Sequence, residues 1–213
     1  MHLMFFSRLI LFSILLFNTI SDFPDDRTHF IQPVRIPLAL SANFGELRID
    51  HFHSGIDIRT QGVTGKEVVA AADGYVYRIG VSPTGFGNAL YIRHPSGYST
   101  VYGHLERFTP EIDAYVKAQQ YDRKSFTVTL FPPKEKFQVK QGDIIAFSGN
   151  SGGSGGPHLH FEVRKADSEI PVNPLLFNFG PPDNIKPVIE KLFIYPVSDN
   201  SEINSFHKTM KIS

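Results

Sequence analysis

A mainly β protein, built on an antiparallel sheet with one short inserted helix, is the fold class the sequence predicts. Three observations predict it. Short runs rich in Val, Ile, Tyr, Phe and Thr recur along the chain, turn residues separate them, and only one stretch carries the start signals of a helix. With 213 residues, 41% of them hydrophobic, the chain can bury one core of roughly 100 to 150 residues plus appendages.

The elements follow in order. The opening "MHLMFFSRLILFSILLFNTISDFPDD" sets a short segment containing Arg8 before an apolar run from Leu9 to Phe17, then small and polar residues. That is the layout of an export signal over residues 1–21, with Thr19 and Ser21 as the small residues before a cut. An uncleaved anchor is the alternative, and it would be the chain's only contact with a membrane, although the run is short for a span of about 20 apolar residues. Residues 22–34 read as a linker and 35–180 as one β-rich domain. "EVVAAADGYVYRIGV" gives two strand segments broken at Asp73-Gly74, a hairpin dipeptide. "NALYIRHPSGYSTVYGHL" gives two more around Pro95-Ser96-Gly97, which continues an antiparallel meander. "TPEIDAYVKAQQY" is the helix, with Thr109 as N-cap and Pro110 at the first helical position. "SFTVTLF" and "FQVKQGDIIAFSGN" return to strand, with a turn at Gly142-Asp143, before a glycine-rich loop and "HLHFEVR". Residues 181–213 begin a further β module or are a truncated tail.

Composition removes several function classes. Lysine plus arginine equals aspartate plus glutamate at 21 each, so no basic field favours nucleic acid as a partner. Cysteine is absent, which excludes disulfides, thiolate metal sites and a cysteine nucleophile. Any metal must be held by histidine and carboxylate.

In "GGPHLHFEV", His158 and His160 sit two residues apart on a strand and so share one face. Alone, such a pair is more often a half-exposed surface pair than a metal site, so partners have to be found. "HFHSGIDIRT" offers His53 and Asp57 where a loop enters a strand, free to wrap a metal. With His158 or His160 this gives two nitrogens and a carboxylate oxygen, and three ligands with an open fourth position describe a catalytic zinc. His104 ends another strand, and Tyr102, of the same parity, would line a groove or donate to an oxyanion, or else be a core aromatic. Glu162 shares parity with both histidines of the pair and could orient one imidazole. His51 reads as a surface histidine and His94 as a structural one. A cupin-like metal site also uses His-x-His on a β scaffold, but it needs a glutamate several residues on, and Glu162 comes too early and Glu169 too late.

The ordered set "NFGELR", "HFHSGIDI", "VVAAADGYV", "GFGNALYIRH", "YSTVYGHL", "VKQGDIIAFSGNSG" and "GPHLHFEVR" resembles peptidase family M23, the LytM or lysostaphin-type zinc endopeptidases of bacterial cell walls. The resemblance spans roughly Ser41 to Pro174. It implies a small antiparallel sheet of the duplicated-hybrid-motif type with a groove across it. It implies Zn2+ bound by His53, Asp57 and His160, with His104 and His158 as catalytic histidines flanking the metal. The implied activity is hydrolysis of peptide stems or cross-bridges of peptidoglycan by an exported, monomeric enzyme of the periplasm or cell envelope. The alternative within the resemblance is a non-catalytic relative that binds wall or activates an amidase; such relatives usually lose metal ligands, whereas every expected position is filled here. Asn43 occupies a place from which an asparagine ligates the metal in latent relatives. The segment 108–136 reads as an insertion that would rise beside the groove. Glycyl bridges and direct D-alanine to diamino-acid links are both cut within the family, and the sequence does not choose between them.

Overall fold

The structure, a computed structural model, describes residues 29–177, 180, 188–189, 192–194 and 210–212. The expected export segment lies outside the described residues. The chain divides into two compact units, Met1–Pro181 and Pro182–Ser213.

The first unit is built on one largely antiparallel sheet. Its strands are β1 Leu40–Ala42, β2 Ile56–Arg59, β3 Glu67–Val69, β4 Gly74–Val81, β5 Asn88–Arg93 and β6 Tyr98–Phe108. After helix α1, Pro110–Arg123, come β7 Val128–Leu130, β8 Gln138–Val139, β9 Ile144–Ser148, β10 His158–Lys165, β11 Pro171–Val172 and a 3-10 turn at Pro174–Phe177. The main path runs β1-β2-β10-β6-β5-β4-β7, with β9 joined to the far end of β6 and β3 to β9. In the second unit, β12 Leu192–Ile194 pairs antiparallel with β13 Met210–Ile212.

Strand alternation sorts the side chains onto two faces. On β10, Leu159, Phe161 and Val163 enter the main core with Ile56, Ile58, Leu90 and Ile92. His160 and Glu162 fall on the opposite face, which has a smaller apolar cluster of Ala89, Tyr91 and Val101. Each fully buried Leu, Ile or Phe contributes about 1.5–3 kcal/mol, so the main core fixes the register and with it the face on which the histidines emerge.

Several expected elements are corrected. Asp73-Gly74 is not a hairpin turn: β3 pairs with β9, while β4 pairs with β5. The glycine is needed for a close approach instead, because a Cβ there would lie 2.3 Å from the Arg93 carbonyl oxygen. Asp73 accepts hydrogen bonds from the Gln141 N–H and the Lys140 ammonium, tying the crossing chain to the turn before β9. The turn at Gly142-Asp143 forms as expected, with Gly142 at φ +86° and Asp143 N–H donating to the Lys140 carbonyl. So does the β5–β6 hairpin over Pro95-Ser96-Gly97. The helix begins at Pro110, but the Thr109 side chain makes no capping bond. Asp113 in the first turn instead reaches back to accept from the Phe108 N–H at 3.2 Å, which fixes the chain entering the helix. The expected linker is partly core: Phe30 and Val34 are buried, and Phe30 packs edge-on against His94, Tyr98 and Phe177.

Candidate metal centre

Three side chains from two neighbouring strands converge. His53 lies just before β2, Asp57 lies within it, and Asp57 stands directly opposite His160 in the β2–β10 register. His53 Nε2 is 3.1 Å from Asp57 Oδ1, His160 Nδ1 is 2.9 Å from the same oxygen, and the two nitrogens are 3.1 Å apart. All three residues are buried.

Their outward partners decide what the inward atoms can do. His53 donates its Nδ1–H to the Asn43 carbonyl at 2.8 Å, and His160 donates its Nε2–H to Glu162 Oε1 at 2.9 Å. Those acceptors set the tautomers, so two imidazole lone pairs and a carboxylate oxygen face one point. Such a set attracts a cation. Zinc bonded at about 2.0–2.2 Å in a tetrahedral shell separates its donors by roughly 3.3 Å, only a few tenths beyond the spacings found. The donor set therefore fits the metal.

The acidities show the same convergence. Burial alone would raise the Asp57 carboxyl, but the His160 and His53 imidazoles beside it, when they also carry the inward proton that a metal would displace, hold it far below the usual carboxylate range. Burial opposes charge on His160, yet Asp57 and Glu162 together raise its pKa. Glu162 is likewise buried but is pulled down to about 2 by His160 and by Arg164, whose Nε lies 2.5 Å from Oε2. The Ser54 hydroxyl also donates to Glu162, fixing the carboxylate that accepts from His160.

Two more imidazoles complete the group. His158 donates Nδ1–H to the Gly156 carbonyl at 2.8 Å, and its Nε2 lies 3.6 Å from Asp57 Oδ1. His104 donates Nδ1–H to the Ser151 carbonyl at 2.8 Å, and its ring lies 4.7 Å from that of His158. Burial pushes the His104 imidazole down to about 4, against the hydrogen bond to Ser151, so it is neutral at pH 7. All four site histidines and Asp57 line one cavity of about 940 Å³.

Tyr102 is not part of this group. It is fully buried, and its hydroxyl accepts from the Ala71 N–H at 2.9 Å and the Thr100 hydroxyl at 3.0 Å. The shared parity with His104 fails because β6 carries an irregularity: Leu90 pairs with Tyr102 but Asn88 pairs with Leu105, leaving an extra residue on β6. His104 has φ +57° at this bulge, which turns its side chain to the site face. Gly103 opposes His160 across the β6–β10 ladder, and a Cβ there would crowd both His160 and Phe86 at 3.3–3.4 Å.

Phe86 and Arg48 were not foreseen. The Phe86 ring stacks on His160 at 4.9 Å, and its carbonyl accepts from the His104 N–H. Its only sequence signal is an aromatic between glycines in "GFGN". Arg48 Nη2 donates to Asp57 Oδ2 at 3.0 Å, a contact no spacing rule announces. Asn43 supplies only its backbone carbonyl to the donor set; its side-chain amide reaches Glu46. His51 is exposed and pairs with Asp50, and His94 is buried between the Asp73 carbonyl and the Thr100 hydroxyl.

Comparison with known proteins places this geometry. The sequence profile described as Peptidase family M23 matches residues 51–121 and 129–174, more than half of the chain. The chain belongs to peptidase family M23. The M23 match covers His53, Asp57, His104, His158 and His160 and omits only 122–128 of the segment expected to be an insertion. Among curated relatives, the DD-carboxypeptidase/endopeptidase Mpg of Neisseria meningitidis is 34% identical over 123 residues, 58% of this chain and 22% of Mpg. The murein hydrolase activator NlpD of Salmonella dublin is 33% identical over 125 residues, 59% of this chain and 26% of NlpD. The M23 chain thus spans about a quarter of the length of these relatives. A zinc-containing peptidase from Vibrio cholerae superposes with a TM-score of 0.51 at 27% identity, covering 73% of this chain and 41% of that one. None of residues 108–136 lines the M23 metal cavity; several of them line a separate cavity of about 730 Å³ beside α1.

Proposed function

We propose that this M23 domain is a zinc-dependent endopeptidase hydrolysing peptide cross-links of bacterial peptidoglycan. The observation that carries the reading is the set of three inward lone pairs on His53, Asp57 and His160, with the imidazoles of His104 and His158 over the same cavity. Zinc held there supplies Lewis acidity, polarising a carbonyl and acidifying water. His104 and His158 each have Nδ1–H committed to a backbone carbonyl, which leaves Nε2 free to accept a proton. One of them takes the proton released as water attacks the scissile carbonyl, and the pair returns a proton to the leaving amine. Phe86 covers one face of His160 and keeps bulk water from that ligand.

The similarity to Mpg supports a wall peptide as substrate, and the Vibrio cholerae peptidase supports zinc. The apolar N-terminal layout supports export to the cell envelope. The similarity to NlpD favours a second reading, activation of another murein hydrolase. The complete donor set with two further imidazoles argues for catalysis by this chain itself.

The test is incubation of the zinc-loaded protein with purified peptidoglycan of both cross-link types, with and without chelator, and mass analysis of the products. Chelator-sensitive release of peptides with new amino termini is expected. One equivalent of zinc with no cleavage of either wall would favour the activator.

A further inference from the structure

Between Asn43 and His53 the chain folds into a small hairpin that borders the metal cavity. Gly45 N–H bonds to the His53 carbonyl, His53 N–H to the Glu46 carbonyl, and Arg48 N–H to the His51 carbonyl. A further bridge joins Leu47 to Phe52. The hairpin is thus anchored on His53, and it carries Arg48 on a fixed backbone.

Among the described residues, Arg48 is the one lysine or arginine lining that cavity. Its Nη2 sits 3.0 Å from Asp57 Oδ2, the oxygen not aimed at the other donors, and 3.9 Å from Glu46 Oε2. Glu46 is itself held by the Asn43 N–H at 2.7 Å. Nearby Asp50 and His51 pair with each other. A guanidinium has five N–H donors in a planar fork, and Nε and Nη1 of Arg48 make no hydrogen bond among the described residues. The side chain is 36% exposed. Leu47, Ile49 and Phe52 on the same hairpin are also exposed, at 78%, 106% and 68%.

We propose that Arg48 is a specificity-determining residue: its unused N–H groups receive a free carboxylate that a substrate peptide carries beside the scissile bond. The inference rests on the peptidase reading and narrows it. Bidentate capture of a carboxylate is what a guanidinium does better than any other side chain. Its contact with Asp57 sets the capture point one carboxyl group away from the metal donors. The apolar neighbours on the hairpin flank such a carboxylate with surface suited to small alkyl side chains. A cross-link to a diamino acid that keeps its α-carboxylate matches this wall; a glycyl bridge, with no carboxylate within it, does not.

The test measures binding by the full, zinc-loaded chain, so that it does not depend on cleavage. Two synthetic peptides modelling a D-alanyl to diamino-acid link are used, with the scissile amide replaced by a ketomethylene group. They differ only in a free α-carboxylate against a carboxamide on the diamino acid. Wild type is expected to favour the carboxylate by roughly ten- to a hundred-fold, the range of a charge-assisted hydrogen bond. Arg48→Gln should bring the two affinities together, and Arg48→Lys should restore part of the preference. Equal affinities in wild type, or an undiminished preference in Arg48→Gln, overturns the proposal. Zinc content of each variant is measured alongside, and cleavage of the corresponding amide peptide by wild type reports separately on the peptidase reading.

Discussion

His160 and His158 stand two residues apart on one strand, yet their nitrogens have different occupations. His160 turns Nδ1 inward, 2.9 Å from Asp57 Oδ1, while its other nitrogen is fixed by Glu162. The inward nitrogen of His158 stays 3.6 Å from the same oxygen. His160→Ala is therefore expected to reduce bound zinc from one equivalent to near none and to abolish cleavage. His158→Ala should keep the metal and lose roughly 10²–10⁴ in kcat, the usual worth of a general acid or base. Zinc analysis on purified variants decides this, and equal metal loss in both would overturn the division. Tyr102 is a second residue-scale case. Removing its hydroxyl leaves the buried Ala71 N–H without its acceptor, so Tyr102→Phe should cost about 1–3 kcal/mol in urea unfolding with kcat unchanged. A large fall in kcat at unchanged stability would return the phenol to the reaction.

At the scale of elements, the sequence made the strands legible because each needs only a few residues of pattern. Their partners were less so: Val68 pairs with Ala146 across most of a hundred residues, and nothing local in "EVVAAADG" announces it. The convergence of His53, Asp57 and His160 was legible because the segments that form and precede the paired strands β2 and β10 each carry a short histidine motif. The separation of His104 from Tyr102 was not, since a bulge changes parity through one backbone angle that no residue type encodes outright. Arg48 was hidden for a different reason, because its contact depends on how a hairpin lies against a strand. The helix was legible from Thr109-Pro110, but the way it is anchored was not. Ile112 and Val116 of α1 are buried in the main core, and β7 after it pairs with β4. Ile112→Ala should thus lower unfolding free energy by about 2–4 kcal/mol while leaving the cleavage products of peptidoglycan the same. A changed product pattern with undiminished stability would show that the helix selects substrate instead.

At the scale of the first unit, Phe30 and Phe177, far apart in sequence, are held together beside one buried imidazole. His94 donates its Nδ1–H to the Asp73 carbonyl and meets the Thr100 hydroxyl through Nε2, both at 2.8 Å, and lies 5.2 Å ring to ring from Phe30. Phe30 in turn meets Phe177 near the other end of the unit. Burial pushes the His94 pKa down to about 4, although the Asp73 carbonyl works the other way. The unfolded chain binds a proton at this residue below about 6.5, whereas the folded chain refuses it until about 4. The contribution of neutral His94 to stability is consequently complete above pH 6.5 and is lost as pH falls towards 4, by up to about 3 kcal/mol. His94→Gln removes that dependence along with the hydrogen bonds. Its stability deficit against wild type should be largest near pH 7.5 and shrink steadily down to pH 4.5, because only wild type has a proton to exclude. Other carboxylates and His104 titrate in the same window, and the difference between the two urea-unfolding curves cancels them. A deficit that stays constant from pH 7.5 to 4.5 would mean that His94 titrates alike in the folded and unfolded chain, and that burial does not exclude its proton.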